Sequence, residues 1–421
     1  MTAQIATPRH ELDDETLDAL ATSHGGPGAV AQLIAAQHSR RLLLLRLVSD
    51  RIRPVADRDA AIAAISAADY RAPDVVRSIV TGPMAGLWAA RTARTMVERG
   101  DAVPGAAGHL GALAAAVAMR TGSSADVCGY VGDGWLGLPS IGRVRLAEGS
   151  RRVRLSVAGG RLRIDGSDVA EYEWQRLRAL TLDDGFSVLF DDVDPYRDVF
   201  HVPASDRLSG TEWDAWRRSM REAWRVLTAY APERAAELAA GLHSLVPLRR
   251  PAGNAAHSAT TRDAVGVVAL DLPKTAADFA VALVHEFQHS KLSAVLDMVE
   301  LYRSSDRLFF APWRTDARPV GGLFHGLYAF IGVADMWRSL SADPESFPQA
   351  RQEFAEARAQ VSDAWETLAG SGLLTPAGER FLRGMRQAVE QLYAVAVPAA
   401  TEAAAQRLLA GRRSTWTVAN A

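Results

Sequence analysis

The sequence predicts a mainly α-helical protein with a small antiparallel β insert, an α+β fold. Apolar residues recur at helical spacing in the first quarter and in the second half of the chain, while a short central segment alternates arginine with aliphatic residues. Hydrophobic residues make up 48% of the 421 residues and charged residues 23%, as in ordinary globular proteins. We therefore expect a helical region at 1–128, a β-rich insert with an acidic loop at 129–205, and a helical C-terminal domain at 206–421.

The elements follow from local patterns. Three helices are predicted from apolar spacing in the first region, at Glu15 to Leu20, Ala29 to Ser49 and Asp74 to Arg99, and the uncharged run Ala102 to Met119 predicts a packed core helix. Period-two alternation predicts strands at Val144 to Leu146, Val153 to Val157 and Leu162 to Ile164, with a hairpin turn at Ala158-Gly159-Gly160. The C-terminal domain begins with helical sequence from Trp213 to Leu242. A strand at Val265 to Leu270 and a helix at about 276–302 follow, and helical patterns continue to Arg412.

The acidic loop of the insert, Gly185 to Asp198, contains four aspartates, Asp191, Asp192, Asp194 and Asp198. Such a loop is typical either of a metal or substrate site or of a structural turn, and Asp-Pro at 194–195 favours chain reversal.

Net charge and cysteine content limit the kinds of binding partner and metal site that we expect. The formal net charge is −2, which gives no overall attraction to nucleic acid or to anionic membranes, so we expect neither as a partner. Cys128 is the one cysteine, so a metal site must use His, Asp or Glu, and a reducing compartment is indicated. The stretch Met1 to Asp14 lacks the apolar core of a secretory signal, and we expect a cytoplasmic protein.

The motif with the clearest chemistry is His285-Glu286-Phe287-Gln288-His289, an H-E-x-x-H sequence inside a helical pattern. Residues four apart share one helix face, so the two imidazoles can bind one metal ion. Thr275 is placed to cap this helix and Asp278 to complement its N-terminal dipole. We expect His285 and His289 to be metal ligands on a zincin-like helix packed in a helical body.

This motif alone suggests a zinc metallopeptidase in which Glu286 activates the metal-bound water. The metzincin extension is excluded, because Leu292 and Val295 occupy the positions that require glycine and histidine. Glu300, placed on the same helix, would lie about 16 Å from His289 along a straight axis, too far to be a ligand.

The third ligand is less determined. His325 follows a Gly-Gly pair and precedes an apolar helix, Leu327 to Trp337, that could pack antiparallel on the motif helix. His325 is therefore a candidate ligand, with a hydrogen-bonded packing histidine as the alternative. The carboxylates that remain open as third ligands are Asp297, Asp316 and Asp335.

The loop before His325 contains Trp313, Arg314, Asp316 and Arg318. Guanidinium groups bind carboxylates through paired hydrogen bonds, so Arg318 or Arg314 is a candidate binder for a carboxylate beside the metal. Alternatively, the arginines only brace the loop through Asp316.

Four longer segments of the sequence resemble those of a known protein family. The chain resembles the HExxH-type peptide-modifying proteins encoded beside ribosomally made peptides, which are regarded as iron- and 2-oxoglutarate-dependent peptide β-hydroxylases. The segments concerned are HEFQHSKLSAVLDMVELY at His285 to Tyr302, APWRTDARPVGGLFHGLYAF at Ala311 to Phe330, AAQHSRRLLLLRLV at Ala35 to Val48 and FDDVDPYRD at Phe190 to Asp198.

The resemblance implies Fe(II) as the metal, 2-oxoglutarate as cosubstrate, O2 as oxidant and a ribosomally synthesised precursor peptide as substrate. His285, His289 and His325 would then bind iron, Arg318 or Arg314 would bind the distal carboxylate of 2-oxoglutarate, and Glu286 would lose its peptidase role. Three histidines depart from the usual two-histidine, one-carboxylate iron site. The alternatives are a Zn(II) metallopeptidase and a non-catalytic peptide-binding protein.

Overall fold

The computed structural model describes residues 10–99, 105–250 and 257–420. Residues 1–9, most of the stretch predicted to lack a secretory signal, lie outside the described residues. The chain divides into two compact units, and neither is continuous in sequence. Unit 1 comprises Met1–Ala36, Ala215–Leu242 and Leu272–Ala421, and unit 2 comprises Gln37–Asp214 and His243–Asp271.

Helices dominate, as the periodicity predicts. The α-helices of the described residues are α1 Asp14–Ala21, α2 Gly26–Arg51, α3 Val55–Asp69, α4 Pro73–Val80, α5 Pro83–Arg99, α6 Ala106–Thr121, α7 Gly210–Tyr230, α8 Pro232–Gly241, α9 Ala276–Leu296, α10 Val320–Leu340, α11 Ala350–Ala369, α12 Pro376–Tyr393 and α13 Ala399–Asn420.

The strands are short. They are β1 Ala125–Val131, β2 Trp135–Leu138, β3 Gly142–Arg145, β4 Arg151–Ala158, β5 Arg161–Ile164, β6 Ser167–Asp168, β7 Trp174–Arg176, β8 Arg178–Thr181, β9 Ser187–Phe190, β10 Ser244–Pro247, β11 Ser258–Ala259, β12 Val267–Leu270, β13 Leu308–Phe309 and β14 Arg318–Pro319. The mainly α plus β class is therefore confirmed.

The predicted antiparallel insert is present in unit 2. Its strands form a sheet in the order β1-β4-β5-β6 and a second in the order β2-β3-β7, both antiparallel. Gly159 and Gly160 close the predicted β4–β5 hairpin with φ of 56° and 75°, which glycine adopts without steric cost. The core of these sheets packs against α3 and the alanine-rich α6.

Two expectations need correction. The helix predicted from Asp74 to Arg99 is two helices, because Gly82-Pro83 interrupts it and starts α5. The helix predicted to reach Tyr302 ends at Leu296, so Glu300 does not lie on it. The strand predicted at Val265 to Leu270 is present as β12, and it belongs to a five-stranded mixed sheet, β11-β12-β10-β9-β8, in which β10 pairs in parallel with β9 and β12.

Unit 1 is built around α10. This helix packs against α9, α11 and α12, and α1 packs against α12. Aromatic contacts extend the core, since Phe381 lies 5.9 Å from Phe324 and 5.6 Å from Tyr328 between ring centroids. Because α10 is buried along most of its length, the residues that it presents to α9 are held in fixed positions.

Candidate metal centre

The HExxH motif lies in the middle of α9. Thr275 caps the helix as predicted, accepting a hydrogen bond from the backbone N–H of Asp278 at 3.1 Å. One helical turn separates His285 from His289, and their Nε2 atoms lie 3.2 Å apart. The rings meet edge to face at 84°, with centroids 4.8 Å apart. The four-residue spacing therefore places the two imidazole nitrogens side by side on one face of the helix.

Helix α10 runs antiparallel to α9, which confirms the expected packing. His285 faces Phe330, with ring centroids 5.3 Å apart, and His289 faces His325, with ring centroids 5.8 Å apart. Moving four residues towards the C-terminus of α9, from His285 to His289, thus corresponds to moving five residues towards the N-terminus of α10, from Phe330 to His325. Gly332 lies against Val284 and Gln288, where a Cβ would come within 2.9 Å of the Gln288 side chain, so the helices approach closely there.

Three glycines at the start of α10 make room for side chains from the preceding loops. A Cβ on Gly326 would lie 2.1 Å from Cζ2 of Trp313, and one on Gly321 would lie 2.8 Å from the Tyr302 hydroxyl. A Cβ on Gly322 would lie 3.0 Å from Nε of Arg318. Sequence analysis noted the Gly-Gly pair at 321–322 but assigned it no role, because spacing alone does not show which side chains pack against a glycine.

Trp313 forms an aromatic wall with Phe330 beside the histidine pair. The two rings stack at 15° with centroids 4.6 Å apart, and Phe330 in turn contacts His285. The missing side chain at Gly326 is what allows Trp313 to lie flat on this helix. The wall shields one side of the pair from water.

Burial keeps both motif histidines neutral. It lowers the pKa of His285, against the opposing negative charge of Glu286. Burial lowers the pKa of His289 well below its ordinary value, and the neighbouring His285 and His325 lower it further. A neutral imidazole has one nitrogen lone pair available, which is the form that binds metals.

Glu286 is almost completely buried, and its Oε1 lies 3.8 Å from Nε2 of His285. The carboxylate is therefore close enough to contact a group bound at the histidine pair, directly or through one water molecule. This position is compatible with a general base and equally with a residue that only supports the ligands.

The arginine loop is braced by Asp316. Nε of Arg314 donates to one carboxylate oxygen at 2.7 Å, and Nη1 of Arg318 donates to the other at 3.2 Å. These hydrogen bonds, that from Arg314 first, lower the pKa of Asp316. The bracing predicted as the alternative is thus present, while carboxylate binding by either arginine stays a prediction.

The donor chemistry of the histidine pair fits a metal ion. Two nitrogens each about 2.1 Å from one ion, at angles between 90° and 110°, are separated by about 3.0 to 3.4 Å, and the observed separation is 3.2 Å. Within the described ranges, no three His, Cys, Asp or Glu side chains are grouped closely enough to hold a metal as they stand. The third ligand therefore stays a prediction, with His325 stacked at 29° on His289.

Two of the carboxylates considered as alternative third ligands form hydrogen bonds with arginines. Asp316 holds the two loop arginines, and Asp335 receives hydrogen bonds from Arg234 and Arg338. Asp297 lies at the C-terminal cap of α9.

A buried polar network anchors α9 from its other side. Lys291 donates to Oε2 of Glu237 at 2.7 Å and to the backbone carbonyls of Ser23 and His24 at 3.1 and 2.9 Å. Gln288, inside the motif, donates to the same Ser23 carbonyl at 2.8 Å. The sequence offered one signal for this network, since Lys291 is one of two lysines in an arginine-rich chain, but not its partners.

The acidic loop is a structural turn. Asp191 accepts a hydrogen bond from the backbone of Asp194, and Asp194 accepts one from the backbone of Tyr196, both at 2.8 Å. Asp192 pairs with Arg207, and Asp198 accepts from the backbone of Ala204. Each aspartate therefore holds the local chain.

Comparison with models of known protein families and with curated proteins found no match for the chain. Among the described helices, none combines the length and the apolar character needed to cross a bilayer. The chemistry of the site must therefore be argued from its own residues.

Proposed function

We propose that the protein is an Fe(II)- and 2-oxoglutarate-dependent oxygenase that hydroxylates the β-carbon of a residue in a ribosomally made peptide. The observation that carries the proposal is the pair of neutral imidazoles on α9 with Nε2 atoms 3.2 Å apart. The resemblance of the segments around this pair to HExxH-type peptide hydroxylases selects iron chemistry over zinc chemistry. On this view α9 is a zincin-like metal helix adapted to oxygen chemistry.

His285 and His289 would hold the metal, and His325 is the proposed third ligand. The α10 residues His325, Phe330 and Gly332 lie against the motif. Of these, only His325 has a side-chain atom that can bind a metal. A small rotation of its ring out of the stack with His289 would present a nitrogen to the pair.

Arg318 or Arg314 would bind the distal carboxylate of 2-oxoglutarate. Arg318 lies against Gly322, three residues before His325, which places its side chain at the same end of α10 as the proposed ligand. Asp316 now occupies both arginines, so the cosubstrate carboxylate would exchange with Asp316 for one of them. Paired N–H donors suit either carboxylate equally well.

The overall reaction would consume one O2 and one 2-oxoglutarate and release succinate and CO2, with one oxygen atom replacing a C–H hydrogen as hydroxyl. Bound iron would activate O2, which is the oxidant of this reaction. The protein would supply the positions of the reactants and exclude water, to which the stack of Trp313 on Phe330 beside His285 contributes.

The first test needs no peptide. Anaerobic addition of Fe(II) and then 2-oxoglutarate to the full chain should produce a visible metal-to-ligand charge-transfer band. His285→Ala and His289→Ala should each abolish it, whereas His201→Ala, at an exposed histidine of unit 2, should leave it unchanged. A band that survives in either motif variant would refute the ligand assignment.

The cosubstrate contacts can be tested with the same band. Arg318→Ala should raise the 2-oxoglutarate concentration needed for half-maximal absorbance by about tenfold or more, because a charge-assisted contact is lost. Arg303→Ala removes an exposed arginine outside the loop and serves as the control. An unchanged titration in both Arg318→Ala and Arg314→Ala would show that these residues only brace the loop.

A zinc metallopeptidase is the second candidate, favoured by one contact. Oε1 of Glu286 lies 3.8 Å from Nε2 of His285, a position suited to a base that activates metal-bound water. If the protein takes Zn(II), gives no charge-transfer band and cleaves peptides, Glu286→Gln should abolish cleavage while zinc content is retained. Loss of hydroxylation with retained iron in that variant would instead assign Glu286 to the oxygenase.

The substrate class is tested with candidate precursor peptides. Incubation with Fe(II), 2-oxoglutarate and air should add one oxygen atom to the peptide, detected by mass spectrometry, in step with succinate release. A peptide that binds equally well to wild type and His285→Ala, and is never modified, would indicate a non-catalytic binding protein.

A further inference from the structure

Unit 2 contains a cavity of about 400 Å³ that the proposed metal chemistry does not use. Its lining includes three aromatic side chains, Tyr130 at the end of β1, Trp135 at the start of β2 and Tyr196 after β9. The volume lies within the range of sites that bind small organic molecules. The turn between β1 and β2 contributes backbone at Gly132, where a Cβ would meet no atom within 4 Å.

A buried histidine forms part of the same wall. His109 on α6 is 9% exposed, and its ring lies 4.6 Å from Trp88 and 4.8 Å from Tyr196 between centroids. Burial lowers the pKa of His109 to about 3, so the imidazole is neutral at physiological pH. Across the described part of the chain, its Nε2 finds no hydrogen-bond partner, and neither does Nε1 of Trp88. Unpaired polar groups are costly inside a protein, and His109, unlike Trp88, lines the cavity, so its retention there points to a ligand.

Charged residues of both signs lie around the cavity, and Asp133 and Arg143 both belong to its lining. The guanidinium groups of Arg143 and Arg145 lie over the ring of Trp135, at 4.1 and 5.1 Å from its centroid, and that of Arg91 lies 6.0 Å from Tyr196. The faces of Trp135 and Tyr196 that could attract an ammonium group are therefore already covered by cations of the protein. These three arginines outnumber the carboxylate of the lining, Asp133, and disfavour a ligand with a positive charge.

Arg143 is the cation that lines the cavity itself. Its Nε donates to Oε1 of Gln175 at 2.8 Å, which orients the guanidinium plane while it stacks on Trp135. An arginine fixed in this way presents its terminal N–H groups with little loss of side-chain entropy, and a carboxylate matches their geometry.

We infer that this cavity binds a small aromatic carboxylic acid. The ring packs against Tyr130 and Tyr196, the carboxylate pairs with Arg143, and a polar substituent of the ring forms a hydrogen bond with the imidazole of His109. The site lies wholly in unit 2 and is independent of the proposed oxygenase activity.

The test is calorimetric titration of the full chain with three probes of one shape: 4-hydroxyphenylacetate, its neutral amide, and tyramine, which carries an ammonium group. The acid should bind at one site per chain, and the amide and the amine should each bind at least about tenfold more weakly, because each loses the charge-assisted contact. Failure of the acid to bind, or binding of tyramine as tight as that of the acid, would overturn the ligand class.

Matched variants locate the site. Arg143→Gln should weaken binding of the acid by about tenfold or more, whereas Arg161→Gln, at an exposed arginine of β5 outside the cavity lining, should change it little. Gly132→Leu should fill the cavity and abolish binding, and Gly210→Leu, at a glycine with equally open surroundings outside the cavity, should not. Circular dichroism would verify that each variant is folded. Unchanged affinity in folded Gly132→Leu protein would refute the location.

Discussion

Replacement of Lys291 by methionine tests whether the buried network behind α9 holds the metal helix in place. The Lys291 side chain is 1% exposed and that of its partner Glu237 is 2% exposed. Burial lowers the pKa of Lys291 to about 8, although Glu237 opposes the shift. Burial raises the pKa of Glu237, but Lys291 and Arg234 outweigh it and hold the value below normal. Both groups are therefore charged near neutral pH and depend on each other.

The magnitude follows from what Lys291→Met leaves behind. Glu237 keeps the backbone N–H of Gly26 at 2.9 Å and Arg234 at 3.7 Å, but it loses its shortest charged contact. The carbonyl of His24 loses the Lys291 donor as well. Removing one partner of a buried ion pair costs about 3 to 5 kcal/mol, and we expect the free energy of unfolding to fall by this amount.

Urea denaturation followed by circular dichroism at neutral pH measures the effect. Lys274→Met is the matched control, because Lys274 is the other lysine of the chain and is exposed, and it should change stability by less than about 0.5 kcal/mol. The double variant Lys291→Met with Glu237→Gln should recover much of the loss, since neither charge is then buried alone. A loss below about 1 kcal/mol in Lys291→Met would refute the reasoning.

Three further predictions concern local features. Gly326→Ala places a Cβ 2.1 Å from Trp313, so the ring must leave its stack on Phe330, and urea denaturation should show that the free energy of unfolding falls by about 1 to 3 kcal/mol. Gly411→Ala, in an open helical position, should leave the free energy of unfolding unchanged. Equal stability of the two variants would contradict the packing argument. Burial, with the nearby charge of Asp191, raises the pKa of Asp194 from 3.8 to about 7. Between pH 3.8 and about 7 the folded state therefore binds this proton more tightly than the unfolded state, so the free energy of unfolding should fall as the pH rises through this range. Asp194→Asn should remove this slope, which is at most about 1.4 kcal/mol per pH unit, and should be the more stable protein at pH 8; identical pH profiles would reject the assignment. Thr275→Ala removes the N-cap of α9 and should lower the free energy of unfolding by about 1 kcal/mol, whereas Thr275→Ser should retain most of the stability, as measured by thermal denaturation. An alanine variant as stable as wild type would show that the cap does not contribute.

Local sequence patterns predicted the elements whose signal is periodic. The helical spacing of His285 and His289 placed both nitrogens together, and the glycine pair at 159–160 placed a hairpin that the structure contains. The five-stranded sheet was missed apart from β12. Its parallel strands are four residues long, and β10 and β12 are buried on both faces, so they show no alternation from which a strand can be distinguished from a buried helix.

The parts of the site that sequence reasoning missed depend on contacts between residues distant in the chain. The sequence around Gly326 does not show that this residue admits Trp313, and the sequence around Lys291 does not show that it binds the Ser23–His24 turn. Both cases have one physical origin. Local periodicity fixes which residues share a helix face, while the choice of partner for that face is decided by packing, which a single sequence does not encode in its spacing.

The same distinction explains why the histidine pair is better determined than its third ligand. The pair is set within one helix, where the rise and turn per residue leave little freedom. The position of His325 depends on the register between α9 and α10, and that register is held by close contacts such as those of Gly332 with Val284 and Gln288. A third ligand on α10 is therefore only as well placed as this packing, and the glycines that permit it are as much a part of the candidate metal centre as the histidines.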